Sequence, residues 1–371
     1  MPAEPAPIRT GIIGCGDISG AYLRSLARFR DVQVVAVADL DQARARSVAA
    51  SFGVPLALTV DELLARADLA LIVNLTVPGA HAKVGLAALA AGKHVYTEKP
   101  LATRFEDGER LVSAARSAGL RLGSAPDTFL GAGLQTCRRL IDDGAIGRPI
   151  AAMGNLLNHG HEHWHPNPAF YYRDGGGPLF DMGPYYLTAL VHLLGPVARV
   201  HGAATIGNRE RRVSSQPLTG MIIEPETPTH VIATLTFASG VLATLTTSFD
   251  VWASDAPRLE IHGTEASLSL PDPNTFGGPI RLRRRDDTVW HDIPLQPGYT
   301  GNDRGVGAAD LATALRRGRT HRASSELAFH VLDLMSLILA SAEEAAVLGA
   351  RSTCERPAPL PLDLAPGVLD D

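Results

Sequence analysis

Strand-length apolar runs alternate with amphipathic helical stretches through the first 125 residues, and that alternation leaves the chain few architectures. The runs "IRTGIIG", "VQVVAVAD", "LALIVNLT", "KHVYTE" and "LRLGSA" are aliphatic and β-branched, whereas "DQARARSVAASFG" and "RFEDGERLVSAARSAG" between them carry helical periodicity. Strands separated by helices pair in parallel, and a parallel sheet needs cover on both faces. Helix ends are marked too. Thr59 with Glu62, and Thr103 with Glu106, have capping-box spacing, while Gly53, Gly92 and Gly119 stand where helices should stop.

Beyond residue 125 the texture changes. A helix, "LQTCRRLIDDGAIG", leads to a strand near 149–158, a long loop rich in His, Tyr and Gly, and a helix "PYYLTALVHLLG". From about 197 strands dominate, and "FASGVLATL" reads as a hairpin with a Ser-Gly break. A stretch from about 323 to 349, with Leu327, Val331, Leu334 and Ile338 on one stripe, is expected to dock as a closing helix. The expected fold class is therefore α/β, with a parallel-sheet domain over 1–125. A second α+β domain with a largely antiparallel sheet is expected over 126–371.

The first strand opens the chemistry. "GIIGCGDISGAY" places Gly14 and Gly16 between a strand and a helix, where a tight turn and a bare backbone let a pyrophosphate approach the helix N-terminus. The third glycine of the usual fingerprint is replaced by Ser19, with Gly20 next. Asp39 closes the second strand, where a carboxylate can accept from ribose hydroxyls and repel a 2′-phosphate, which favours NAD over NADP. Asp41, Arg44 and Arg46 keep NADP open.

Bulk properties exclude other classes. A net charge of −5 with no basic stripe argues against nucleic acid. The opening "MPAEPAPIRTG" has neither a basic n-region nor an apolar h-region, and no run approaches a membrane-spanning length, so a cytoplasmic protein with no membrane partner is expected. Cys15, Cys137 and Cys354 are too few and scattered for a disulfide framework or thiolate metal site.

The variant G-x-G loop, "NLTVPGAHAKVGLAALAAGKHVYTEKPLA" and "GGGPLFDMGPYYLTALVHLLG", in that order, resemble the glucose-fructose oxidoreductase, inositol dehydrogenase and MocA (Gfo/Idh/MocA) family. The resemblance implies a Rossmann domain, an open-faced α/β domain, and hydride transfer between a nicotinamide and a hydroxyl or carbonyl carbon of a sugar, cyclitol or similar polyol held between them. It implies cofactor-side roles for Gly14, Gly16, Asp17, Ile18, Asp39, Asn74, Thr76, His81, Glu98, Lys99 and Pro100, and no metal.

Lys99 stands out among cations, because the chain has 31 Arg and only three Lys. The following Pro100 restricts it to extended backbone at a strand end, where open α/β sheets bind ligands. Its ammonium can stabilise a developing alkoxide, and its pKa can fall on desolvation beside an oxidised nicotinamide. In the second motif, Gly183 and Pro184 read as an N-cap and first helical residue, placing Asp181 in the preceding turn and Tyr185 in the first turn. The commoner family pattern resembles D-x-G-x-H-x-x-D. Tyr185 stands at its His and Thr188 at its second Asp, as in the glucose-fructose oxidoreductase and dihydrodiol dehydrogenase branches. The expected catalytic set is Lys99, Tyr185 and Asp181: Tyr185 exchanges the proton, with a pKa lowered by Lys99 and the helix N-terminus, and Asp181 orients a substrate hydroxyl or the Lys. His192 reads as a core or supporting histidine.

His159, His161, His163 and His165 alternate, so on a strand they would share a face and could ligate zinc. Trp164 and Pro166 fit a substrate-lining loop instead, and His163 and Trp164 join Lys99, Asp181 and Tyr185 as substrate contacts. Three readings follow: a polyol or sugar dehydrogenase, a hydrolase or epimerase with retained NAD, and a non-catalytic nucleotide sensor. An exposed sheet face predicts a homodimer or homotetramer.

Overall fold

In a computed structural model of the chain, the five apolar runs become parallel strands of one sheet. Residues 6–362, 364, 365 and 367–370 are described; residues 1–5, on which the leader reading partly falls, lie outside them. The first domain runs β1 (Ile8–Ile13), α1 (Ser19–Leu26), β2 (Val32–Ala38), α2 (Gln42–Phe52), β3 (Leu56–Leu58), α3 (Val60–Leu64), β4 (Leu71–Asn74), α4 (His81–Ala90), β5 (His94–Thr97), α5 (Phe105–Ser117) and β6 (Leu122–Ser124). The sheet order is β3-β2-β1-β4-β5-β6, all parallel. It is a doubly wound sheet whose order reverses between β1 and β4, the point at which such sheets take their ligands. Thr59 and Glu62 form the expected capping box on α3. Thr103 and Glu106 do not: α5 has Arg104 as its N-cap, one residue later, with no side-chain cap, so Glu106 falls inside the first turn.

The second domain runs α6 (Ala132–Asp142), β7 (Pro149–Leu157), α7 (Gly177–Leu194), β8 (Val197–Thr205), β9 (Arg211–Arg212), β10 (Ile222–Ile223), β11 (His230–Phe237), β12 (Leu242–Ser248), β13 (Leu259–Gly263), β14 (Ala266–Leu270), β15 (Ile280–Arg284), β16 (His291–Ile293), α8 (Val306–Arg317), α9 (Ser325–Glu344) and β17 (Leu348–Gly349). Nine strands form one sheet, β16-β15-β14-β13-β7-β12-β11-β8-β17, antiparallel except where β7 meets β12. The hairpin at "FASGVLATL" is β11–β12. Helices α6, α7 and α9 cover one face.

The expected segment 323–349 forms α9, with Leu327, Val331, Leu334 and Ile338 buried. By length and composition α9 could cross a membrane, which residue counting did not flag; here it lies against β8, α7 and α5. Helix α8 was not read at all, and it returns to the first sheet, packing on β6, β5, β2 and α1.

The start of α8 rests on a buried acid. Asp127 Oδ2 accepts from Gly305 N (2.8 Å) and Gly307 N (3.0 Å). Burial pushes its pKa up to about 6; the two N–H groups oppose that shift and Glu98 adds to it. The sign follows from linkage: with the folded pKa above the unfolded one, the carboxyl's favourable contribution is complete below about pH 4 and is lost as pH rises through about 6. Asn keeps the accepting oxygen without the charge. Asp127→Asn should therefore raise stability by about 2 kcal/mol near pH 8 and leave it unchanged near pH 4. Thermal unfolding of both proteins across that range checks this, and parallel pH curves would refute it.

Candidate active site

The turn after β1 is tightly constrained at its first glycine and open at its second. Gly14 has φ +103°, and a Cβ there would sit 2.6 Å from the Leu75 backbone, so only glycine fits. A Cβ on Gly16 would meet nothing within 4 Å: the backbone faces an open concavity. Helix α1 begins beyond Asp17 and Ile18 with no side-chain cap. Ser19, at the missing glycine, is buried and turns its hydroxyl back to Gly16 O (2.7 Å).

Asp39 stands at the end of β2, one oxygen accepting from Cys15 N (2.8 Å) and the other from Asp41 N (2.9 Å). A carboxylate has about four acceptor sites, so capacity remains for ribose hydroxyls. Asp41 caps α2 through Ala43 N and Arg44 N, and the Arg44 guanidinium lies 3.6 Å from it. Two carboxylates thus stand together at the end of β2 and the start of α2.

At the end of β4, Asn74 accepts from the Thr76 hydroxyl (2.7 Å) and donates to His81 O (3.1 Å). His81 is buried, with Nδ1 2.7 Å from Pro100 O and Nε2 2.9 Å from Thr76 O. Burial drives its pKa down while the two carbonyls favour the doubly protonated ring. We side with the neutral ring, because desolvating a charge outweighs one carbonyl left without a donor. His81 therefore ties the β4 loop to Pro100 and holds the cis Lys99–Pro100 segment in place.

Lys99 crosses to the second domain. Its Nζ lies 2.9 Å from Asp181 Oδ1 and 2.5 Å from Asp181 O, and 5.0 Å from the centre of the Tyr185 ring. Lys99 thus meets both Asp181 and Tyr185. Glu98 beside them accepts from Tyr22 OH (2.7 Å) and Lys99 N (2.9 Å).

Helix α7 corrects the local reading. It starts at Gly177, with Pro178 in the first turn, so Pro184 lies inside the helix and Asp181 and Tyr185 are both helical. Pro184 withholds the N–H that Phe180 O would receive, and at this loosened turn Asp181 O is taken by Lys99. Tyr185 therefore lacks the N-terminal dipole expected for it. Burial raises its pKa, with Lys99 opposing, Glu98 adding and Arg304 opposing, and the net shift is upward rather than downward. Lys99 also departs from expectation: burial works against its ammonium, but Asp181 and Tyr185 outweigh it and hold the pKa above the ordinary lysine value. Asp181 answers in kind, since Lys99 and His161 overcome burial and keep its carboxyl well below the carboxylate range.

The His-rich segment is a turn, not a strand, so its imidazoles share no face. His159 stacks on Trp252 (3.3 Å, 16°) and His165 accepts from Asn167 N. His163, expected at the substrate, is exposed; Trp164 is half exposed with its ring 5.3 Å from that of His161. The residue that reaches the site is His161, 8% exposed, with Nε2 3.0 Å from Asp181 Oδ2. Among the described residues no group of three or more His, Cys, Asp or Glu side chains could hold a metal. His192 is a core residue between Phe129, Gln135 and Arg138.

His161 and Arg304 were missed by sequence reasoning. His161 hid among four equivalent-looking histidines, and Arg304, whose charge acts on Tyr185, is one of 31 arginines far along the chain. A cavity of about 620 Å³ lies elsewhere, between Arg28, Phe29, Arg139, Tyr299 and Leu360. Lys99, Asp181, Tyr185 and His161 do not line it.

Comparison with known proteins agrees with this geometry. The oxidoreductase-family NAD-binding Rossmann fold matches residues 8–125, and the GFO/IDH/MocA C-terminal domain matches residues 134–269. A dTDP-3,4-didehydro-2,6-dideoxy-alpha-D-glucose 3-reductase of Streptomyces antibioticus is 34% identical over 325 residues, 85% of this chain and 90% of its own length. A 1,5-anhydro-D-fructose reductase of Ensifer adhaerens is 29% identical over 78% of this chain and 83% of its own. A levoglucosan dehydrogenase solved with NADH and L-sorbose superposes with a TM-score of 0.81 at 19% identity, over 94% of this chain and all of its own, which speaks to the fold.

Proposed function

Because the chain belongs to the Gfo/Idh/MocA family of oxidoreductases, we propose that Lys99, Asp181 and Tyr185 are its catalytic group and that it reduces the ring carbonyl of a ketosugar with NADH. It is an NAD(P)-dependent oxidoreductase of sugars or polyols. One observation carries the finer reading: a lysine from the Rossmann strand end and an aspartate and tyrosine from α7 converge in one buried cleft.

The residues fit a dinucleotide. Gly14, Gly16 and the N–H groups of Asp17 and Ile18 would hold the pyrophosphate, and Asp39 the adenosine ribose. Asn74, Thr76, His81, Glu98 and Pro100 would frame the nicotinamide side. When bound, the reduced cofactor supplies the hydride. The chain's own side chains do the rest: Lys99, fixed by Asp181, directs its ammonium at the substrate oxygen and stabilises negative charge there, while Tyr185 donates the proton. His161 holds the second oxygen of Asp181, and Trp164 offers a ring face at the mouth for sugar stacking. Residues 1–125 hold the cofactor and 126–371 shape the substrate side.

The relatives reduce a dTDP-linked ketosugar and an anhydroketose, so a carbonyl on a pyranose ring is the substrate class. The test is consumption of NADH or NADPH by purified protein across a panel of ketosugars, free and nucleotide-linked. NADH should be preferred by about tenfold or more, because Asp39 and Asp41 repel a 2′-phosphate. A silent panel together with dinucleotide released only on unfolding would replace this reading with internal redox by retained NAD, as in an epimerase or hydrolase.

We also propose a homodimer through the open sheet face, where Ile150 (43% exposed), Ile232 (45%) and Leu242 (59%) project among threonines. Light scattering should give twice the 39.2 kDa chain mass, and Leu242→Glu should shift it toward one chain. A monomeric native protein would refute the interface. The buried free cysteines and net charge of −5 fit a cytoplasmic, small-molecule enzyme with no nucleic-acid or membrane partner.

A further inference from the structure

We propose that the cavity of about 620 Å³ between the end of α1, helix α6 and the loop at 296–303 is a second small-molecule site, and that it takes an aromatic hydroxy acid. Lys99, Asp181 and Tyr185 do not line it, so the inference stands apart from the reductase reading.

The cavity is walled by both domains. Arg28 and Phe29 follow the last turn of α1, at the opposite end of that helix from Gly14 and Gly16, while Gln135 and Arg139 come from successive turns of α6. Its volume is in the range that encloses small organic ligands. Much of the wall is apolar: Phe29 and Leu130 are buried, and the Phe29 and Tyr299 rings stand 5.7 Å apart at 45°. Rings so placed offer faces and edges to a third aromatic ring. The frame is fixed from several sides. Ala132 N donates to Tyr299 O (2.7 Å), Gln296 N to the Thr136 hydroxyl (3.0 Å), and Leu360 N to Gln135 Oε1 (2.8 Å). Backbone held in this way is ordered before a ligand arrives, which lowers the cost of binding.

Two polar atoms set the chemistry of the ligand. Arg139 Nε and Gln296 Oε1 are shut from solvent, and the protein gives neither a hydrogen-bond partner. They belong to one wall: Thr136, which holds the Gln296 backbone, precedes Arg139 by about one helical turn. Arg139 donates through Nη2 to Leu360 O, a neutral carbonyl. Among the described residues the only carboxylate lining the cavity is Asp303, and it is already engaged by the Arg28 guanidinium and by Gly301 N (3.0 Å). A guanidinium without a carboxylate, set among apolar walls, is matched by an organic carboxylate through a charge-assisted bond. Gln296 Oε1 calls for a donor, which a hydroxyl on the same molecule supplies. Both side chains line the cavity, and a change of rotamer turns either atom toward an occupant. A ring carrying a carboxylate and a hydroxyl therefore satisfies the apolar wall and both unpartnered atoms together.

Titration calorimetry of the whole chain with para-hydroxycinnamate, near neutrality, tests this without any turnover. One molecule per chain should bind with a Kd of about 1 mM or tighter, and saturating NADH should leave that Kd within about twofold. The uncharged methyl ester of the same acid should bind about tenfold more weakly, and cinnamate, which lacks the hydroxyl, about fivefold more weakly. Arg139→Gln should weaken para-hydroxycinnamate by about tenfold. Gln296→Leu should weaken it by about fivefold yet leave cinnamate unchanged, a selective loss that an unfolded variant would not produce. The three probes on the unaltered chain decide the question even where a variant fails to fold. Equal binding of the methyl ester, displacement by NADH, or no heat up to about 10 mM acid overturns the proposal. A Kd indifferent to both substitutions overturns it as well, since the acid would then sit elsewhere.

Discussion

Replacing Tyr185 with Phe should lower turnover by about two to four orders of magnitude, the usual worth of a positioned proton donor, while dinucleotide binding stays within about twofold of wild type. The separation follows from the geometry. Tyr185 lies on α7 of the second domain, and the phosphate loop, Asp39 and the β4 loop are assembled within the first sheet. The ring itself remains, so the packing of a 7% exposed side chain is kept and stability should change by no more than about 1 kcal/mol. Stopped-flow reduction and fluorescence titration of NADH measure the two effects apart. Near-full turnover would move the proton to Lys99 or His161, which already share the Asp181 carboxylate. A second substitution tells these apart: in the Tyr185→Phe background, Lys99→Met or His161→Gln should abolish the remaining turnover for whichever residue supplies the proton.

How much of this was legible depended on whether local physics was left to decide. The Rossmann half was readable because each strand is a continuous β-branched run and each crossover helix carries its own stop. Only β3, three half-buried residues at the sheet edge, went unread, since an edge strand needs little apolar content. Lys99 was readable because lysine is rare in this chain and Pro100 fixes its backbone. The start of α7 was misread because Pro184 has the chemistry of a first-turn proline. Nothing local reveals that the Gly175–Gly177 run with Pro178 starts the helix seven residues earlier, or that a lysine 82 positions away takes up a carbonyl at the proline turn. His161 and Arg304 were illegible for a related reason: their roles exist only through partners distant in sequence, Asp181 and Tyr185.

The same holds for the buried ion cluster behind His161, and it yields the largest expected effect on stability. Arg211, its side chain 1% exposed, pairs with Glu162 and with Asp250 (2.6 Å), and donates to His159 O (3.0 Å) and Phe249 O (2.7 Å). Tyr172 OH donates to the other Glu162 oxygen and Thr229 to the other Asp250 oxygen, so every acceptor in the cluster is served. One guanidinium thus bolts the His-rich turn to the end of β12. Replacing it with Met leaves two buried carboxylates without their cation, and breaking such a network costs about 3–5 kcal/mol. Lysine should recover little, because a single ammonium cannot span four acceptors. The melting temperature of Arg211→Met should fall by on the order of 10 °C near pH 8. Removing the two charges as well, with Glu162→Gln and Asp250→Asn added to Arg211→Met, should recover much of the loss, whereas a purely steric loss would persist. With the turn unbolted, His161 releases Asp181 and turnover should drop as well, so the stability loss and the activity loss should both appear in the Met variant. A triple variant that melts as early as Arg211→Met would show that the cluster acts as packing rather than as charge.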